Sequence, residues 1–289
     1  MKRIAILGCE NSHANAFLRE IRENAAYADV QVVGVYSDDA EAAQKLHDAF
    51  DVPVMAHYAD AAGQIDGLII TARHGDHHYE YAKPYLGSGI PMFVDKPITV
   101  SEQDAREFAA ELAKNHVRVS GGSSLGQDTY VVQLRKAAVE QVGGRTLGGF
   151  VRAPYQSVNA YGGFYFYAQH LVEMVCEIFG RFPISVTAKQ NGDCIHVLFH
   201  YENFDCTGLF CDNNYHYAAC RMSESGTECY AIPSTDEWFA REFAEFYGLL
   251  GGNPSPLCYA EFFSPVFIMN AIDRSLQSGR EEVVGRIEL

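Results

Sequence analysis

The sequence predicts an α/β protein in two parts. A doubly wound parallel sheet comes first, and an α+β domain built on an open, mainly antiparallel sheet follows. Three observations carry this. The chain has 289 residues, more than one ordinary core usually organises, so two domains are expected. Over roughly the first 120 residues, short apolar runs alternate strictly with helix-patterned segments; this implies parallel strands joined by right-handed crossovers. Beyond about residue 125 the rhythm changes to strand-like runs separated by turn residues, as in consecutive hairpins.

The strands of the first part are expected at residues 3–7, 30–36, 67–71, 91–94 and 117–120. They read as near-continuous apolar runs (IAIL, VVGV, GLII, MFV), which suits a sheet covered by helices on both faces. Helices are expected at 14–24, 40–50, 78–87 and 101–115. Residues 52–55 read as short and extended, and 59–64 as polar or a short helix. Ser101 with Asp104 gives the last of these helices an N-cap and an acidic first turn.

The second part begins with a helix at 130–141, an extended run at 146–155 and a long helix at 166–179. Strand-like segments follow at 184–189, 194–201, 206–211, 217–222 and 229–232. Asn191-Gly192-Asp193, Glu202-Asn203, Asp212-Asn213-Asn214 and Ser225-Gly226 separate them, so a meander is expected. Helices at 236–250 and 266–277 close the chain, with Pro265 marking the start of the second. The parts divide as 1–123 and 124–289. A sheet face left uncovered and rich in Tyr, Phe and Cys would pair copies into a homodimer or homotetramer.

Composition narrows the function classes. The hydrophobic fraction of 48% is too high for disorder. Lys and Arg number 22 against 37 Asp and Glu, a formal charge of −15. That argues against a nucleic-acid partner, which is bound by neutralising phosphates, and against an anionic membrane surface. No apolar run approaches the ~18 residues of a membrane span. The opening MKRIAILGCENSH reads as a buried first strand rather than a signal peptide, because a polar turn follows at once. Of the eight cysteines, no two have C-x-x-C spacing, and reduced, buried thiols in a cytoplasmic protein are expected.

Several motifs occur in a fixed order. Asp95-Lys96-Pro97 follows an apolar strand. Upstream, Thr71 and His78-Tyr79-Glu80 frame the segment ARHGDHHYE. Gly162-Gly163 precede His170, Gly180 follows it, and Ser275 and Gly279 mark the end. Over nearly the whole chain this order resembles the Gfo/Idh/MocA oxidoreductase family (glucose–fructose oxidoreductase, inositol dehydrogenase and relatives). The resemblance implies an N-terminal Rossmann domain and NAD(P)-dependent oxidation or reduction of a sugar, cyclitol or related polyol. It also implies a cofactor site at Gly8, Glu10, Asn11, Ser12, His13, Ser37, Asp38, Thr71, His78, Asp95 and Lys96. Lys96, His170 and Glu173 become the catalytic candidates.

Three places depart from the family pattern. The glycine fingerprint reads Gly8-Cys9-Glu10-Asn11-Ser12-His13, so only the first of its three small positions is kept. A carboxylate ~5 Å from a phosphate, at an effective dielectric near 20, costs about 3 kcal/mol. Helix N-terminal amides, helped by Asn11 or Ser12, can still bind an anion. At the ribose position Ser37 stands for the usual acid, followed by Asp38 and Asp39 with no adjacent Lys or Arg; this favours NAD over NADP. Phe166 lies where the family often carries an Asp, four residues before His170.

Chemistry is expected at a few groups. Lys96 ends a parallel strand, where open α/β sheets bind ligands, and its ammonium can lower the pKa of a substrate hydroxyl. His170 is the general-base candidate, with Glu173 one helical turn away to orient it. Arg73 can offset Glu10 or grip an anionic substrate. The aromatic run from Tyr161 to Tyr167 suits a sugar face or a packed domain junction. Two other readings stand beside this one. A catalytically silent relative, a binding or regulatory module, is motivated by Glu10, His13 and Phe166. A metal-dependent hydrolase or lyase is motivated by His13, His74, His77 and His78, although no metal is expected.

Overall fold

A computed structural model of the chain describes residues 1–288. The first sheet has five parallel strands in the order β2-β1-β3-β4-β5. These are β1 (Lys2–Leu7), β2 (Val30–Tyr36), β3 (Gly67–Ile70), β4 (Met92–Asp95) and β5 (Val119–Gly122). Every residue of β3 and β4 is buried, as a sheet covered on both faces requires. Its helices are α1 (Ser12–Glu23), α2 (Ala40–Phe50), α3 (Asp76–Leu86) and α4 (Glu102–Lys114). Ser101 Oγ accepts from the Asp104 amide and so caps α4 as its sequence implies.

After α5 (Thr129–Val139), the second sheet is built from β6 (Thr146–Tyr155), β7 (Ser185–Asn191), β8 (Cys194–His200), β9 (Asp205–Asp212), β10 (Tyr217–Ser223), β11 (Gly226–Ile232) and β12 (Glu282–Val283). Helices α6 (Tyr165–Phe179), α7 (Glu237–Leu250) and α8 (Tyr259–Ser278) complete the chain. The strand order is β11-β10-β6-β9-β8-β7-β12. The expected simple meander is therefore corrected. The strand preceding α6, β6, is inserted between β9 and β10 and runs parallel to β9.

Three further expectations are corrected. Pro265 lies inside α8 rather than at its start. The carbonyl of Glu261, which loses its helical donor there, accepts from Ser264 Oγ (2.8 Å) and from Arg181 (3.3 Å) instead. The open face of the second sheet is less aromatic than expected. Strand alternation turns Tyr155, Tyr217 and Tyr230 toward the helix-covered core, and Phe150 and Leu209 are left on the other side. Finally, Cys220 and Cys229 stand opposite each other on β10 and β11 and are joined in a disulfide. Cys258 is exposed, so the cysteines are neither all reduced nor all buried.

The sheets separate along the sequence, but the packing does not. Phe243 and Phe246 of α7 are fully buried in the core of the first sheet with Phe17 and Phe93. Phe262, Phe263 and Phe267 of α8 fill the opposite face beside Phe108. A Cβ on Gly67 would come within 2.4 Å of Leu250, so this strand is glycine where α7 lies directly on it.

Candidate functional site

The carboxyl ends of β1, β3, β4 and β5 meet the start of α6 around one cavity of about 430 Å³. Parallel sheets place ligands there because the strand ends and helix N-termini converge. Lys96 and His170 both line it, with Arg73, Tyr161, Tyr167 and Tyr217.

Lys96 follows β4 directly and is 4% exposed. Its Lys96–Pro97 peptide is cis. The ammonium lies 4.5 Å from the Phe166 ring centroid and 5.3 Å from that of Tyr167. The aromatic residue at the position of the family's Asp thus supplies a π face to the lysine. Burial pushes the Lys96 pKa down, and nearby Asp95 partly restores it.

His170 projects from α6, a helix buried along nearly its whole length. Its Nδ1 is 2.6 Å from Ser123 Oγ, just beyond the end of β5. Burial, then the charge of Lys96, holds its pKa well below the ordinary histidine value, so the imidazole is neutral. The expected pairing with Glu173 is corrected. That carboxylate turns away to Arg181 (2.7 Å) and Gln169 (3.3 Å), because a guanidinium is a stronger partner for a buried carboxylate than a neutral ring. Glu173 therefore braces α6, and Ser123 orients His170.

Gly8 has φ +71°, and a Cβ there would meet the Ala72 amide nitrogen at 2.3 Å. The first small position of the fingerprint is thus a steric necessity. Glu10 places its carboxylate across the strand ends. It accepts from Ser37 Oγ at 2.6 Å and from the Arg73 amide at 2.9 Å. Asn11 caps α1 through the Ser12 amide and donates to Asp95 at 2.8 Å. Ser12 is exposed at the helix start. Asp38 accepts from the Tyr36 and Tyr81 hydroxyls, each at 2.6 Å.

Two expected cofactor ligands brace the loops instead. Thr71 is fully buried and donates to the Gly8 carbonyl at 3.1 Å. His78 is wedged between the carbonyls of Ala72 (2.8 Å) and Ile98 (3.2 Å), and burial lowers its pKa to about 4. His74 and His77 lie apart from His13, facing Asp76 and Asp38. Among the described residues no cluster has metal-binding geometry.

The third small position is filled in an unexpected way. His13 is 3% exposed and sits between two buried carboxyls, with Nδ1 3.2 Å from Asp95 and Nε2 3.4 Å from Glu242. Neither contact has hydrogen-bond alignment. Burial holds the His13 pKa well below its ordinary value. It also raises Asp95 to about 7 and Glu242 well above the carboxylate range. Glu242 comes from α7, some 150 residues after β4, and Ser123 follows a glycine pair. Neither has a sequence motif; only the strand-end position of Ser123 offered a signal.

Residues 2–123 match the family model described as "Oxidoreductase family, NAD-binding Rossmann fold" (GFO_IDH_MocA). The match covers the first, parallel sheet and its helices. No curated protein sequence matches the chain. Solved structures share its fold end to end. Scyllo-inositol dehydrogenase from Lactobacillus casei, with bound NAD(H) and scyllo-inositol, is 12% identical with a TM-score of 0.84, and the match covers 98% of this chain and 99% of that one. A myo-inositol dehydrogenase from Corynebacterium glutamicum is 16% identical, with a TM-score of 0.83 and 99% of each chain covered. The WlbA dehydrogenase from Chromobacterium violaceum, in complex with NADH and UDP-GlcNAcA, is 16% identical, with a TM-score of 0.79 over 100% of this chain and 96% of that one.

The matched family model is described as an NAD-binding Rossmann fold, and the donor set here suits a dinucleotide. The Gly8 turn is kept, Ser12 leaves the α1 N-terminus open, and the Glu10 carboxylate is already engaged by Ser37 and the Arg73 amide.

Proposed function

We propose that the chain is an NAD-dependent oxidoreductase acting on the secondary alcohol, or corresponding ketone, of a sugar, cyclitol or related polyol. One observation carries this reading: Lys96 and His170, from the two sheet systems, line a single cavity at the carboxyl end of the family's Rossmann sheet. Gly8, Asn11, Ser12 and Ser37 would hold the dinucleotide, with Glu10 and Asp38 favouring a free ribose over a 2′-phosphate. The bound nicotinamide supplies the hydride acceptor or donor.

The chain's own residues manage the proton. Ser123 fixes Nδ1 of His170, and Nε2 has no hydrogen-bond partner among the described residues, so Nε2 takes the hydroxyl proton as hydride leaves. Lys96 donates to the same oxygen and stabilises its developing negative charge. Tyr161, Tyr167 and Tyr217 present ring faces and hydroxyls to a polyol.

The test is turnover followed by NADH absorbance over a panel of inositols, aldoses and their acids. Lys96→Met and His170→Asn should each lower kcat/KM by roughly 10²–10⁴ with the fold retained. A second reading, a binding module without turnover, draws on Phe166 occupying the Asp position. It requires no functional cofactor and no turnover on any member of the panel. We also propose that the open face of the second sheet joins two or four copies, which light scattering in solution tests.

A further inference from the structure

The cavity carries more positive charge than a neutral polyol needs. The chain as a whole has a formal charge of −15, yet the cationic groups lining this pocket are Arg73 and Lys96, and its one carboxylate is Asp236. Asp236 is largely exposed and faces Arg19 on α1. Neither Arg73 nor Lys96 has a carboxylate within ion-pair distance of its charged nitrogens among the described residues. Lys96 is left with two aromatic faces. Arg73 stacks 5.1 Å over Tyr161 and donates to its hydroxyl at 3.1 Å, while its buried Nε has no partner among the described residues. A half-buried guanidinium with a free buried donor calls for an oxyanion.

The direction of Arg73 indicates which oxyanion. Its backbone amide serves Glu10, on the dinucleotide side. Its side chain leaves that side and reaches Tyr161, in the loop that leads into α6 and His170. The guanidinium is thereby held against the loop that leads into α6, on the same cavity as Lys96 and His170.

From this geometry we propose that the substrate is an acidic sugar or polyol, a uronate or aldonate, whose carboxylate is bound by Arg73. This rests on the oxidoreductase reading above and deepens it. The Arg73 side chain grips the carboxylate at one end of the molecule, and Lys96 with His170 addresses the hydroxyl at the other. Tyr161 holds the guanidinium in place by stacking and by its hydroxyl.

The test compares congeners that differ only in the acid group. D-Glucuronate, D-galacturonate and D-gluconate are set against D-glucose, D-galactose and D-glucitol. Thermal shift and calorimetry are run with the NAD-loaded protein, wild type and Arg73→Gln. The acids should bind roughly 10–100-fold more tightly than their neutral partners, the scale of a charge-assisted pair. Arg73→Gln should remove that preference and leave NAD affinity within about twofold. Equal binding of acids and neutral sugars, or of neither, with NAD still bound, would overturn the proposal and leave the oxidoreductase reading standing. A loss of NAD affinity in Arg73→Gln would also overturn it, by placing the guanidinium on the pyrophosphate. Absence of NAD binding by the wild type would strike the oxidoreductase reading itself.

Discussion

At the scale of single residues, the site is set by which side chains are buried neutral. His78 is fully buried with a pKa lowered to about 4 from 6.5. Its unfolded form takes up a proton below about pH 6.5 while the folded form does not, so stability is lost as pH falls through that window. A His78→Gln variant should lack this component. Urea melts at pH 7 and pH 4.5 should show the wild type losing about 2–3 kcal/mol more than the variant at the lower pH. Glu242 behaves in the opposite sense. Its raised pKa means that the folded state keeps a proton which the unfolded state releases above about pH 4.5. Its destabilising contribution therefore grows as pH rises from there. Glu242→Gln, which preserves shape and needs no proton, should gain stability relative to wild type between pH 5 and pH 8 in the same melts. Equal pH dependence of the two proteins would show that Glu242 is ionised in the fold.

At the scale of elements, α1 to α4 and β1 to β5 were legible because each carries its own periodicity, and α1, α2 and α4 a side-chain cap as well. The residues 30–36 and 40–50 fall where the apolar pattern puts them. What was not legible depends on partners distant in sequence. The insertion of β6 between β9 and β10 leaves no local trace, since β6 has the same alternation wherever it pairs. In sequence Pro265 reads as a helix start because its missing donor is tolerated there; only Ser264 and Arg181, seen in three dimensions, show how a helix passes through it. Helix α7 is the clearest case, because its phenylalanines belong to the first sheet. A Phe246→Ala substitution, at a fully buried position, should destabilise the chain by about 3–5 kcal/mol. Residues 1–123 expressed alone should lack a cooperative thermal transition, because Phe243, Phe246 and Phe263 no longer cover the sheet. A sharp transition for that fragment would show that α7 and α8 are dispensable to it.

At the scale of the whole molecule, charge takes on a meaning that composition did not carry. The −15 total pointed away from polyanionic partners, and Glu10 looked like an obstacle to a dinucleotide. The structure ties that carboxylate to Ser37 and the Arg73 amide, and gathers Arg73 and Lys96 on one cavity. Lys96 and His170 were legible in sequence through the order of motifs. Ser123, Glu242 and the π face of Phe166 were not, because each acts only through a neighbour that folding brings near. No described helix is long and apolar enough to cross a membrane. The proposed function rests on one requirement, that the chain binds a nicotinamide dinucleotide. Calorimetric titration of the full chain with NAD and with NADP measures it directly. Saturable binding of NAD, one per chain and tighter than NADP, is the predicted result; no heat and no thermal shift with either dinucleotide would contradict it.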